Sequence, residues 1–288
     1  MHDARNPYII IAMFQTILYP PVPRDTSRAA GSLYGKGNVY LRLGDALDEL
    51  LFELIPSEMQ LRSSENRTPE ANVQCALLNI FQFAEELTNQ QIVEALRNRV
   101  DLKYALHLPL NYPSFDPNAL CEFRRQLFAD AAYQEIFQTL LDRTAEFGLF
   151  KTIQGQPVSA RQVLVAVCTV TRFEEVVEGM HQALEALAVT NPEWLRQVTL
   201  PYWYDRYNRR TPTSILHNFD KKWKAKVLEI GSDIQYLLGE IDNAQQRSLA
   251  SLPAVKCLRQ IWEEQFILTD DTVVWRNTYC SNCNIPIQ

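Results

Sequence analysis

The chain has 288 residues, 47% of them hydrophobic and 22% charged, which is the composition of a globular protein with one large domain or two smaller ones. Nine glycines and no glycine-rich phosphate motif leave no argument for a nucleotide site. A formal net charge of −6 argues against a chain that merely coats nucleic acid, which would be basic.

The first apolar stretch, Tyr8 to Tyr19, is too short for a membrane-spanning helix, which needs roughly 20 residues. It reads as a packed or loose N-terminal segment, because no small-residue cleavage site follows it. Pro20, Pro21 and Pro23 read as a linker, and the glycine-containing run from Gly31 to Asn38 as a second flexible stretch. Ordered structure is therefore expected from about Tyr40, after an N-terminal segment and linker over 1–39.

From there the pattern is helical almost throughout. Val73, Leu77, Ile80, Phe81 and Ala84 recur at helical spacing, with Pro69 suited to a first turn. A second helix is expected from Thr88, with Gln91 completing a capping box and Ile92, Leu96, Val100 and Tyr104 as its stripe. A turn-rich connection over Asn111–Pro117 leads to a third helix near Asn118, and a fourth ends at Gly148. Leu149–Val158 reads as a short strand or hairpin fragment, interrupted by Gly155 and Pro157. A long helix follows, striped by Val163, Val167, Val170, Phe173, Val177, Met180, Leu184 and Leu187, and stopped at Asn191–Pro192. Further helices are expected around 214–240 and 252–266, then a β-prone Thr272–Trp275 and a loose tail over 277–288.

Two constellations bear on nucleic acid. The helices over 71–86 and 88–106 form a helix-turn-helix candidate, with Arg97, Arg99 and Lys103 on the second and Arg124 and Arg125 opening the next. Cations meet phosphates and a helix fits the major groove, although a plain helical bundle with solvated charges has the same pattern. Residues 196–226 hold eight basic residues (Arg196, Arg206, Arg209, Arg210, Lys221, Lys222, Lys224 and Lys226) against Asp205 and Asp220. The rest of the chain has 20 basic and 32 acidic residues. Tyr202, Trp203, Tyr204, Tyr207 and Trp223 alternate with these cations, as in a nucleic-acid groove, and a surface loop packing its aromatics on the core is the plainer reading. Six scattered cysteines suggest no disulfide framework and fit a reducing cytoplasm. Cys280 and Cys283 make only half a zinc site, and the four histidines are isolated, so no metal or other cofactor is expected.

The run from Leu87 to Leu106 resembles the InsH-like N-terminal domain of bacterial DDE insertion-sequence transposases. So do Pro113–Asp116 and Leu120–Leu127, with Pro21–Thr26 and Gly37–Arg42 upstream. Asn191–Leu195, Trp203–Tyr207 and Leu252–Trp262 are similar to that family's helical insert, so the resemblance spans roughly 20–276. It implies a mainly α chain: a helical DNA-binding domain over 40–148, then over 149–276 a strand remnant of an RNase-H-like core with a large helical insert, and a divergent tail over 277–288. It also implies double-stranded DNA, the element ends, as partner, with a full-length transposase or a second copy as a further one and no membrane. The family cuts DNA with Mg2+ held by three acids. Here Ser159 occupies the place of the first acid, and the chain stops before the segments that carry the other two. The expectation is a DNA-binding portion that is not an enzyme by itself. The alternatives are a module whose Val163–Leu187 stripe pairs with an intact transposase and inhibits it, and a decayed remnant without function.

Overall fold

A computed structural model describes residues 19–54, 68–113, 115–150, 157–207, 221–244, 247–270, 272–276, 279–280 and 285–286. The described residues are mainly helical. They divide into two compact units, one drawn from 1–84 and 90–162, the other from 85–89 and 163–288. Among them no helix is long and apolar enough to cross a membrane.

In the first unit α1 spans Arg24–Leu33 and α2 Val39–Leu54. The expectation of order only from Tyr40 is corrected by α1. Proline stops a helix it sits inside, but Pro23 precedes this one, and Thr26 and Ala30 one turn apart give α1 a buried edge. Next come α3 (Pro69–Glu85), α4 (Asn89–Asn98), α5 (Val100–Ala105), α6 (Pro117–Ala129) and α7 (Ala131–Glu146). α6 begins where Asp116 accepts a hydrogen bond from the Asn118 amide with Pro117 in the first turn, a local signal readable from sequence. α7 ends just before Gly148, whose φ of 81° favours glycine. The helix expected over 88–106 is two helices. Arg99 is extended between them, and the Asp101 carboxylate accepts from the Leu102 amide and from the Arg99 guanidinium. Short acidic side chains compete with helix bonding in this way.

α5 packs on both α1 and α2, and α2 also packs on α7. Leu43, Leu47, Leu77, Phe81, Leu102 and Leu106 are wholly buried in this unit, and the Tyr40 ring meets Phe81 edge to face at 5.0 Å. Burial of side chains this size stabilises by about 1.5–3 kcal/mol each. Gly44 is the contact point of α2 with α5: a Cβ there would lie 2.8 Å from the Tyr104 ring and 2.9 Å from its carbonyl oxygen. A backbone carbonyl cannot swing away, so Gly44→Ala is expected to cost about 1–3 kcal/mol, read as a lower urea midpoint at unchanged m-value. An unshifted midpoint would show that the two helices separate freely.

Most of the second unit is built on α8 (Ala160–Thr190), α9 (Pro192–Val198), α10 (Trp203–Tyr207), α11 (Lys221–Asn243), α12 (Arg247–Ala250) and α13 (Pro253–Gln265). α8 stops at Asn191, whose side chain then caps α9 by accepting from the Trp194 amide at 3.2 Å. The Val163–Leu187 stripe is spent inside this chain: Phe173, Val177, Met180 and Leu187 are buried with Val227, Ile230, Ile234 and Leu258. It is therefore not the free pairing surface that the sequence allowed. The expected helix over 252–266 gives way at Phe266 to β1 (Phe266–Thr269), which pairs antiparallel with β2 (Thr272–Trp275), Phe266 opposite Trp275. A further short pair, β3 (Tyr279–Cys280) with β4 (Ile285–Pro286), lies in the expected loose tail. The strand fragment expected over 149–158 falls partly on 151–156, outside the described residues, and 149, 150, 157 and 158 are not in a strand. Cys75, Cys121 and Cys168 are buried as expected, whereas Cys257 is exposed on α13.

Candidate nucleic-acid interface

α3 and α4 are joined by the short turn 86–88, in which Glu86 has a φ of 54°. The two faces of α4 differ sharply. Ile92 and Leu96 are buried, while Gln90, Glu94, Arg97 and Asn98 are exposed at spacings of four, three and one residues. Those positions lie along one side of a helix. Side-chain amides bond base edges in a major groove, a carboxylate accepts from cytosine, and a guanidinium at the rim meets phosphate.

The five cations expected around this pair meet different fates. Arg97 and Arg125 are exposed. Arg99 forms an ion pair with the buried Asp101 at 2.9 Å, and its guanidinium lies over the Tyr40 ring at 5.1 Å. Lys103 is buried, donates from Nζ to the Leu110 carbonyl at 2.5 Å, and burial lowers its pKa. Arg124 has no exposed surface at all. Its Nε donates to Asn79 Oδ1 at 2.6 Å and its Nη2 to Gln82 Oε1 at 2.7 Å. Lys103 and Arg124 thus hold the first unit together and present no charge to a phosphate. Burying a cation is costly unless its donors are met, and here carbonyl oxygens meet them.

In the second unit α10 and α11 meet around Asp233, which is almost fully buried. Its carboxylate accepts from Arg206 Nη1 at 2.5 Å, from the Tyr207 hydroxyl at 2.6 Å and from the Tyr202 hydroxyl at 3.2 Å. Arg206 also donates to Glu229 at 3.0 Å and lies over the Tyr202 ring at 4.8 Å. Burial works against the Arg206 charge, but the bond to Asp233 and its negative charge outweigh that and raise the pKa. Burial, then the hydrogen bond to Asp233 and its charge, push the Tyr207 hydroxyl far above the ordinary tyrosine range. Beside this knot lies an open cleft of about 420 Å³ lined by Tyr202, Asp205, Arg206, Lys226 and Glu229. Its two cations face two acids. Lys226 is half-buried, and burial lowers its pKa, with Glu229 opposing and Arg206 adding to the shift.

The basic segment is accordingly less cationic in space than in sequence. Arg196 pairs with Glu193 at 2.6 Å, and Arg206 is committed to Asp233 and Glu229. Arg209 and Arg210 lie outside the described residues, as do the side chains of Lys221, Lys222 and Lys224 on the first turn of α11. Of the aromatics, Trp203 and Tyr207 are buried in the core, whereas Tyr202 and Tyr204 are exposed. The partners Asn79, Gln82 and Asp233 escaped the sequence reading because each lies 27 to 45 residues from the arginine it meets.

Ser159 stands at the head of α8. Its backbone amide donates to Gln162 Oε1 at 2.8 Å, and its Oγ accepts from the Gln162 amide at 3.2 Å. This reciprocal capping box satisfies two backbone donors that a helix N-terminus leaves open. The serine–x–x–glutamine spacing was the available signal. No family model, curated protein or solved structure matches the chain.

Proposed function

We propose that this chain is the DNA-binding N-terminal portion of an insertion-sequence transposase, without transposase activity of its own. The observation that carries the reading is the exposed face of α4: Gln90, Glu94, Arg97 and Asn98 directly after a short inter-helix turn. In this reading α4 enters the major groove of an element end, and Arg97 and Arg125 meet phosphates. Residues 149–276 are then the remnant of an RNase-H-like core with its helical insert, as the family resemblance implies. The capping role of Ser159 supports the inactive reading, because a neutral hydroxyl bound to Gln162 is a poor substitute for a metal-bridging carboxylate.

Anisotropy titrations of the full chain with a randomised duplex pool, followed by sequencing of the retained fraction, test this. Affinity is expected to fall with salt. Arg97→Gln and Arg125→Gln should each reduce the log–log slope by roughly 0.9 for a lost phosphate contact. Gln90→Ala and Asn98→Ala should leave the slope and flatten the sequence preference. Absence of salt-dependent retention would end the reading.

A second reading, pairing with an intact transposase or a second copy, is favoured by β1 and β2. Ile267, Leu268 and Val274 are each about two-fifths exposed on the two-stranded β1–β2 hairpin. Concentration-dependent sedimentation that Ile267→Lys abolishes would support it.

A further inference from the structure

We infer that the cleft between α10 and α11 binds a free α-amino acid, its carboxylate on Lys226 and its ammonium group on Asp205. The inference stands apart from DNA binding and draws on the second unit alone. The cleft holds about 420 Å³ and is lined by Tyr202, Asp205, Arg206, Lys226 and Glu229. That is within the size range of small-ligand sites. Its walls are fixed by the protein's own bonds. Arg206 donates to Asp233 and to Glu229 and lies over the Tyr202 ring. Asp233 in turn accepts from the Tyr207 and Tyr202 hydroxyls.

Among the described residues, two charges of this lining have no hydrogen bond or ion pair, Lys226 and Asp205. They are opposite in sign and share the cleft, yet they lie beyond the ion-pair reach of about 4 Å from each other. Lys226 is half-buried, and burial is the chief cause of its lowered pKa. An amine held partly from water with no anion in contact favours a ligand that brings one. Glu229 lies one turn along α11 but gives its carboxylate to Arg206. The Asp233 knot also decides against a simple anion. Two carboxylates, Asp233 and Glu229, surround one guanidinium, so the knot has a surplus of negative charge. A ligand with only a carboxylate meets that surplus and leaves Asp205 unanswered. One with only an ammonium group leaves Lys226 unanswered and sets like charge beside it. A zwitterion answers both, each end through a charge-assisted hydrogen bond. The Tyr202 ring, 48% exposed, gives the ligand's side chain an apolar wall.

Saturation-transfer NMR of the full chain with the standard amino acids tests this, with propionate and ethylamine as probes of one charge alone. Transfer to at least one amino acid is expected, and to neither single-charge probe. Lys226→Gln and Asp205→Asn should each weaken the affinity about tenfold or more, the loss of one charged hydrogen bond. Neither side chain takes part in the bonds to Asp233, so both variants are expected to keep the fold. No transfer to any amino acid overturns the inference, as does equal transfer to propionate or ethylamine. Affinity unchanged in either variant overturns it too. Should a variant fail to fold, the backbone amide shifts of the wild type decide. Those of Asp205 and Lys226 are expected to move with the bound amino acid, and unmoved shifts overturn the inference.

Discussion

Asp233→Ala is expected to lower the stability of the second unit by about 3–5 kcal/mol, because it strands the buried Tyr207 hydroxyl and the Arg206 guanidinium at once. Arg206 loses its bond at 2.5 Å and keeps only the more exposed Glu229, while the Tyr207 and Tyr202 hydroxyls lose their acceptor. Removing one partner of a buried ion pair leaves an uncompensated charge, which costs more than the pair contributes over an apolar replacement. Asp233→Asn keeps an acceptor oxygen and loses the charge, so its loss should be roughly half as large. Thermal unfolding reads both, with a drop of roughly 10 °C for the alanine variant. A change under about 1 kcal/mol would mean that α10 is held on α11 by its apolar contacts alone. The same site sets an alkaline signature. Tyr207 has its pKa raised in the fold, so the unfolded chain gives up this proton first. Its contribution is complete below the unfolded value of about 10 and is lost as pH rises above it. The wild type should therefore weaken from about pH 10 upward. The alanine variant should weaken less steeply there, because burial persists while the bond and charge of Asp233 are gone.

Arg124→Ala is expected to cost the first unit a similar amount, about 3–5 kcal/mol. The amide oxygens of Asn79 and Gln82 each lose the bond from Arg124 in a region closed to water, at about 1–3 kcal/mol for each bond lost. The removed side chain also leaves a cavity. Arg124→Met restores most of the volume but neither donor, so it should recover only the packing part. Urea unfolding separates the two terms, with a lower midpoint and an unchanged m-value in both variants. Should Met match the wild type, the guanidinium bonds contribute nothing net. This result also bears on function: an arginine whose loss unfolds the unit is not available to bind DNA, so Arg97 and Arg125 are the informative pair for that question.

Local signals were legible in the sequence. Asp116 with Pro117 and Asn191 with Pro192 mark helix starts through bonds that span two or three residues. The 3–4 spacing of Val163 through Leu187 marks α8, because helix geometry alone decides which side chains share a face. What each charge does was not legible there. Arg124, Lys103 and Arg206 read as free cations, and only the fold brings them to Asn79, Leu110 and Asp233. Exposure is set by tertiary contacts, and a charge pattern in one dimension has no record of them. The break at Arg99, the strand at Phe266 and the docking of α1 belong to the same class. Each is stabilised by partners distant in the chain or by a bond that competes with helix formation, so local propensity is overridden there. The sequence by itself determined a mainly helical chain with its helix ends, and the tertiary structure decided which side chains of α4 stay exposed, Gln90, Glu94, Arg97 and Asn98, because burial of Ile92 and Leu96 fixes the helix face that packs inward.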